Sequence, residues 1–159
     1  MFSKILVPLD GSKFASRALD IAYEVADHFK AELILFRVVH PLKTPILTGG
    51  VYSEAMSAQT AEITTEIALK DEARRKKQAE RYLKGKVRKG CQDVTCSWEI
   101  AVGQAGQEII KRAKERKVDL IIMSAHGTGG IKRAILGSVA DEVSRKSKKS
   151  VMIVHPRQR

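Results

Sequence analysis

The 159-residue chain has few aromatic residues, two cysteines and no long apolar run. Aromatic residues make up 5% of it, which argues against a nucleic-acid binder that stacks bases on aromatic rings. No run approaches the roughly 18 apolar residues of a membrane helix. The start, "MFSKILVPLD", lacks the basic region and cleavage site of a signal peptide. We therefore expect one soluble, cytoplasmic domain over residues 1–159, with no membrane partner.

The two cysteines, Cys91 and Cys96, are too few for a disulfide framework in a chain of this length. Four residues separate them and no histidine lies nearby, which makes a poor zinc half-site. We expect Cys96 to be a strand residue and Cys91 an incidental thiol. The four histidines are scattered along the chain, so no metal site is expected.

Positive charge dominates: 29 Lys and Arg against 18 Asp and Glu give a net charge of +11. Residues 70–89 hold ten of these cations and only three acidic residues. Such a run is typical of a solvated helix face, which we favour. The alternative is a polyanion site that would make the protein a nucleic-acid-binding module.

Apolar periodicity alternates between buried strands and amphipathic helices. A chain that alternates in this way predicts an α/β fold: a doubly wound, five-stranded parallel sheet with helices on both faces. A ligand crevice is expected beyond the carboxyl ends of the strands. The predicted strands are Lys4 to Leu9, Ala31 to Val39, Val94 to Val102, Val118 to Ser124 and Ser150 to His155. Two of the predicted helices run from Gln104 to Lys117 and from Ser138 to Lys146. Another follows Ser12 as its cap, with an apolar face of Phe14, Ala15, Ala18, Ala22, Val25, Ala26 and Phe29.

The longest gap between strands contains residues 41–58, with two prolines, two glycines and no clear period. We expect an exposed, mobile loop there, on the ligand side of the sheet. A long charged helix should follow, over about residues 63–89. Its thin apolar stripe would comprise Leu69, Ala73, Leu83 and Val87.

The stretch "SAHGTGGIKRAILGS", residues 124–138, lies between a predicted strand and a predicted helix. Glycine lets a backbone approach a ligand closely, and N–H groups at a helix start favour phosphate. Ser138 could donate to a phosphate or cap the helix. Lys132 and Arg133 could neutralise a triphosphate or face water. The loop could also be no more than a tight connection, since it is neither a Walker loop nor G-x-G-x-x-G.

Three segments together resemble the universal stress protein family: "KILVPLDGS", "VDLIIMSAHG" and "LGSVADEVSRKSKKSVMIVHP". The resemblance covers essentially the whole chain. Its ATP-binding branch has the motif G-x2-G-x9-G-[ST]. Gly127, Gly137 and Ser138 match that motif here, and Ser124 stands at its first glycine.

The resemblance implies a three-layer fold like that of the adenine nucleotide alpha hydrolases, with strand order 3-2-1-4-5. It implies ATP as the ligand, with or without magnesium. Asp10 and Val38 would meet the adenine, Ser124 the ribose, and the glycine loop the phosphates. The implied site residues are Pro8, Leu9, Asp10, Val38, Met123, Ser124, His126, Gly127, Gly137, Ser138 and Val139.

The roles of two of these site residues, Asp10 and His126, are open to a second interpretation. Asp10 could instead cap the helix that follows Gly11-Ser12. His126 could contact a phosphate when protonated, although a lone loop histidine is usually structural. No base, nucleophile elbow or acidic pair for magnesium is evident in the sequence. If the protein is an enzyme, we therefore expect at most a slow ATPase.

We therefore expect a nucleotide-dependent regulator of the stress response that acts on an unidentified protein client. The alternatives are a stress protein that binds no nucleotide, a slow ATPase, and the nucleic-acid module. An apolar final strand, residues 150–155, would lie at the sheet edge in the implied order. We expect it to pair with its counterpart in a homodimer.

Overall fold

The structure is a computed structural model, which describes residues 2–41, 58–91, 94–127 and 136–155, and only the backbone of 58–62 and 88–90. Strands and helices alternate along the chain, as their sequence periodicity predicts. The elements are β1 (Lys4–Pro8), α1 (Lys13–Phe29), β2 (Glu32–Val39), α2 (Ala58–Gly90), β3 (Cys96–Val102), α3 (Ala105–Glu115), β4 (Leu120–Ser124), α4 (Ser138–Lys146) and β5 (Ser150–Val154). The loop expected at 41–58 lies outside the described residues except at its two ends.

The five strands form one parallel sheet in the order β3-β2-β1-β4-β5. This confirms the doubly wound α/β fold and its strand order. The direction in which strands are added reverses at β1, with β2 on one side and β4 on the other. Such a reversal opens a crevice at the carboxyl ends of the two central strands.

Two apolar clusters cover the two faces of the sheet. On one face, α1 and α2 pack over alternate strand residues such as Leu33 and Leu35. On the other, α3 and α4 pack over Ile34 and Phe36. All four of these strand side chains are fully buried, which explains why the strands are continuous apolar runs. The helices therefore surround the sheet and leave its carboxyl edge open for a site.

The apolar face of α1 follows the predicted spacing, and the helix begins at the predicted cap. The Ser12 hydroxyl accepts the Ala15 N–H at 3.0 Å, which satisfies one of the free donors of the first turn. Ala18 and Ala22 are fully buried against the sheet. Phe14 differs from the expectation, since it is 37% exposed.

The long helix α2 packs only through its second half. Leu83 is fully buried and Val87 packs partly buried against the same cluster, as predicted. The prediction is wrong for Leu69, which is 63% exposed, and for Ala73, which is also exposed. The 3.6-residue period identifies a helix face, but it does not tell where the sheet beneath that face ends.

The cations of α2 largely form ion pairs along the helix. Four pairs or groups link residues three or four positions apart, as on a solvated helix face. They are Lys70–Glu66, Arg74 and Arg75 with Asp71, Lys76–Glu72 and Lys84–Glu80. Nor is any helix in the described ranges long and apolar enough to cross a membrane.

A disulfide joins Cys91 to Cys96. The interpretation of Cys91 as an incidental thiol is therefore wrong. Because α2 ends at Gly90 and β3 begins at Cys96, the short connection between them brings the two Cα atoms to 6.0 Å. That separation lies within the range that a disulfide spans. The sequence spacing alone did not reveal that the two cysteines lie this close together.

Candidate functional site

A cleft of about 760 Å³ lies over the carboxyl ends of the central strands. This volume is within the range of small-molecule sites. The ends of β1, β2 and β4 contribute to its floor, through residues such as Pro8, Val38 and Met123. α2 contributes to the lining from one face of the sheet, and α3 and α4 contribute from the other.

The turn after β1 holds Asp10 at the cleft. Gly11 takes a positive φ of 91°, which glycine adopts without strain. The chain thereby folds back, and Asp10 Oδ1 accepts the Ser12 N–H at 2.9 Å. Since Ser12 itself is the N-cap of α1, the interpretation of Asp10 as the helix cap is wrong. Asp10 Oδ2 faces Gly127, where a Cβ would lie only 2.7 Å from it.

The chain leaves β4 through a short turn that lines the cleft. Ser124 Oγ donates to the His126 carbonyl at 2.8 Å, which gives the hydroxyl a local partner. Ala125 is fully buried, and its N–H donates to the Val154 carbonyl at 2.9 Å. His126 and Gly127 follow on the cleft side. The turn therefore places Gly127 beside the carboxylate of Asp10.

The start of α4 forms the opposite part of the lining. Gly137 is its N-cap, and no side chain caps the helix, so the capping role considered for Ser138 is wrong. The Gly137 N–H donates to the Ala125 carbonyl at 2.8 Å. The first N–H groups of the helix itself, from Ser138 onward, have no acceptor within the helix. They lie at the cleft, because Ser138, Val139 and Ala140 all line it.

Every predicted site residue lines this cleft. The sequence had placed them in four separate segments, and the topology brings them together. They are Pro8, Leu9, Asp10, Val38, Met123, Ser124, His126, Gly127, Gly137, Ser138 and Val139. Lys132 and Arg133, which were weighed as phosphate ligands, lie outside the described residues.

Several cleft residues were missed by the sequence interpretation. Arg37 lies near the end of β2, and Arg74, Arg75 and Gln78 come from α2. The α2 residues looked like part of a solvated helix face. Arg37 had a usable signal, because it interrupts the apolar run "LILFRVV" of a buried strand. The remaining missed residues are Phe36, Val39, His40, Ala105, Ile109, Ala125, Leu136 and Ala140.

The described lining combines arginine side chains with a single carboxylate and the free N–H groups at the start of α4. Asp10 is the one carboxylate among the lining residues that the structure describes, so they offer no pair of carboxylates. Nor does the described part of the chain contain three or more His, Cys, Asp or Glu placed to hold a metal ion. Helix N–H groups and cations instead favour an anionic ligand.

Comparison with known proteins agrees with this fold. The universal stress protein family matches residues 1–155. Universal stress protein YxiE of Bacillus subtilis (strain 168) is 34% identical over 97% of this chain and 99% of its own. Universal stress protein MJ0577 of Methanocaldococcus jannaschii is 32% identical over 97% of this chain and 95% of its own. The chain belongs to the universal stress protein family.

Solved structures show the same architecture. The structure of MJ0577 superposes with a TM-score of 0.77, at 26% identity, and covers 100% of this chain and 99% of that one. A universal stress protein crystallised in complex with cAMP superposes with a TM-score of 0.66, also at 26% identity, with coverage of 98% and 99%.

Proposed function

We propose that this universal stress protein binds an adenine nucleotide, ATP foremost, in the cleft and acts as a cytoplasmic, nucleotide-dependent regulator of the stress response. The observation that carries the proposal is the start of α4. Its N-cap is a glycine without a side-chain cap, and its first turn lines the cleft. Free N–H groups and the positive end of the helix dipole favour phosphate at such a position.

The space around the start of α4 also favours a bound phosphate. A Cβ at Gly137 would lie 3.0 Å from the Ala125 carbonyl oxygen, so a side chain here would crowd the backbone that follows β4. The Ser138 side chain is exposed and its hydroxyl can donate to a phosphate oxygen. ATP would therefore place its phosphates against the N–H groups at Ser138 and Val139.

The other end of the proposed ligand would lie near Asp10. Its carboxylate can accept a hydrogen bond from the exocyclic amino group of adenine. Val38 and Met123 provide an apolar surface for the base. Ser124 lies between these residues and the glycines, where its oxygen can accept from a ribose hydroxyl while it donates to His126.

A related protein supports the nucleotide class. The universal stress protein solved in complex with cAMP shares 26% identity and nearly the full length of this chain. An adenine nucleotide therefore binds a relative with the same fold. ATP, rather than a monophosphate, is proposed here because the start of α4 offers several N–H donors for phosphate oxygens.

We further propose that the protein acts as a homodimer formed through β5. This strand is an edge of the sheet, and Met152 on it is 38% exposed. Its outer N–H and C=O groups need partners. A second copy of the same strand would supply them about a two-fold axis. We also propose that nucleotide binding controls recognition of a protein client.

Thermal unfolding with added nucleotide tests the binding proposal. ATP at a hundred times its dissociation constant should stabilise the folded state by about 2.7 kcal/mol through linkage. AMP, which has fewer phosphate oxygens for the α4 start, should shift the melting temperature less at equal concentration. An unchanged melting temperature with millimolar ATP, AMP and cAMP would contradict the proposal.

A further inference from the structure

Arg37 is a partly buried cation that the nucleotide site described above does not use. It lies in β2 opposite Ile100 of β3 and lines the cleft. Its guanidinium carbon lies 4.9 Å from the centre of the Tyr82 ring, a cation–π contact that fixes the group in place. A Cβ at Gly11 would lie 3.3 Å from Arg37 Nη2, so the glycine leaves room for this position.

No carboxylate of the described residues is in direct contact with the Arg37 guanidinium. Arg37 forms no ion pair there within 4.0 Å. A cation that is partly withdrawn from water without a counter-charge lowers stability. The long side chain of an arginine in a strand could turn toward solvent, yet that of Arg37 lies between Gly11 and Tyr82 at the cleft. That arrangement favours an anionic partner supplied by a ligand.

Neighbouring α2 residues add to the positive charge. Arg74, Arg75 and Gln78 line the cleft together with Arg37, and we call these four residues the arginine wall. Asp71 pairs with both Arg74 and Arg75, so one carboxylate faces two cations. The wall therefore keeps a net positive charge, and each of its side chains can donate hydrogen bonds.

The cleft thus has two regions that favour anions, on opposite faces of the sheet. One is the start of α4, which packs on the α3 and α4 face. The other is the arginine wall, which belongs to the α2 face through Tyr82. Apolar side chains such as Val38 and Met123 lie in the same cleft. A ligand with one anionic group would satisfy only one of these regions.

We propose that the cleft takes a nucleotide that carries a second phosphate on its ribose, and that Arg37 binds this second phosphate. The inference rests on the proposed nucleotide function and narrows its ligand class. The guanidinium presents a planar fork of donors that matches two phosphate oxygens at once. The 5′ phosphate occupies the α4 start, and the ribose phosphate lies against the arginine wall.

Calorimetric titration with three nucleotides at one fixed salt concentration tests this inference. The probes are AMP, adenosine 3′,5′-bisphosphate and adenosine 2′,5′-bisphosphate. At least one bisphosphate should bind wild-type protein about tenfold more tightly than AMP, because a charge-assisted pair with Arg37 is gained. Arg37→Gln should remove this preference while AMP affinity changes by less than about twofold.

Two further variants separate binding from a structural role of Arg37. Arg37→Lys keeps the charge without the fork and should keep part of the preference. Lys77→Gln removes a cation of α2 that does not line the cleft, so it should leave the preference intact. Urea denaturation of each variant shows whether loss of the Tyr82 contact has altered folding.

Three results would count against the proposal in distinguishable ways. If AMP binds and neither bisphosphate binds more tightly, the inference is wrong while the nucleotide function stands. If Arg37→Gln lowers the affinity for AMP and for the bisphosphates equally, Arg37 is a structural residue. If wild-type protein binds neither ATP nor any of the three probes, the proposed function is wrong and the inference falls with it.

Discussion

Gly127 is the cleft glycine whose added Cβ would lie nearest to another atom. A Cβ there would lie 2.7 Å from Asp10 Oδ2, closer than van der Waals contact allows. The nearest atom belongs to the end of an exposed side chain, so the carboxylate can move away. A methyl group at this position would therefore displace Asp10 without unfolding the loop.

Gly127→Ala should weaken ATP binding roughly tenfold, because a hydrogen bond to the charged Asp10 is lost. Gly85→Ala is the matched control: it lies in α2 with no atom within 4 Å of its added Cβ. It should leave affinity unchanged and raise stability by about 0.5–1 kcal/mol, since alanine favours a helix interior. Calorimetry with ATP and urea denaturation measure both. Equal ATP affinities for wild type and Gly127→Ala would show that Asp10 does not bind the nucleotide.

At the residue level, the sequence could place at the cleft those residues that match a recognisable motif. Gly127, Gly137 and Ser138 match the glycine motif of the family that the sequence resembles, and all three line the cleft. Arg37 had no motif, and its position depends on Tyr82, 45 positions away along the sequence. Only the folded chain brings these two side chains together.

At the level of elements, the disulfide links the end of α2 to the start of β3. Cys91 and Cys96 enclose a short loop. A crosslink restricts the unfolded chain, and a loop of this length should contribute about 2 kcal/mol by the chain-entropy relation.

Reduction, or the double change Cys91→Ser and Cys96→Ser, should lower the free energy of unfolding by about 2 kcal/mol. Urea denaturation with and without a reductant checks this in wild type. The double variant serves as the control, because its stability should not respond to reductant. Wild-type stability that is identical under both conditions would show that the bond contributes nothing.

α1 and α2 are joined by a hydrogen bond from the Tyr23 hydroxyl to the Lys86 carbonyl at 3.0 Å. Burial, with smaller contributions from Asp20 and Tyr82, raises the pKa of Tyr23 from 10.0 to about 12. The folded pKa thus exceeds that of the unfolded chain. The stabilisation is therefore complete below pH 10 and is lost as the pH rises from 10 to about 12.

Tyr23→Phe should lower stability at neutral pH by about 1 kcal/mol, because the hydrogen bond is lost. It should also make the decline of stability between pH 10 and 12 shallower than in wild type. Urea denaturation over a series of pH values measures both effects. If the wild-type and Tyr23→Phe curves run parallel over this range, Tyr23 does not titrate as inferred.

Most element types could be predicted from apolar periodicity, because buried strands and helix faces leave different patterns. The extent of α2 packing could not be predicted from the sequence, since it depends on where β2 and β3 end beneath the helix. Leu69 fits the helical period of the buried face and yet is 63% exposed. The disulfide escaped prediction for a similar reason, because the approach of Cys91 to Cys96 is a property of the folded chain.

For the whole molecule, the outer edge of β5 is the surface through which we propose that two copies pair. The Val154 carbonyl accepts the Ala125 N–H at 2.9 Å, so the backbone groups of Val154 point inward. Peptide groups alternate in direction along a strand, so those of Ile153 point away from β4. These outward groups are the ones that a second copy of β5 would pair with.

Ile153→Pro should shift the homodimer toward monomer, because it removes an outward N–H without breaking the pairing with β4. Ile153→Val keeps the N–H and is the control that should remain dimeric. Analytical ultracentrifugation at micromolar concentration distinguishes the species. A wild-type protein that sediments as a monomer would contradict the proposed assembly.

The nucleotide site is the central claim for the whole molecule, and calorimetric titration of purified protein with ATP tests it most directly. The start of α4, Gly127 and Asp10 together predict saturable heat at one site per chain. Gly137→Val should abolish this heat, because its branched side chain would meet both the Ala125 carbonyl and the phosphates. No heat from wild-type protein at millimolar ATP, or undiminished binding by Gly137→Val, would contradict the account.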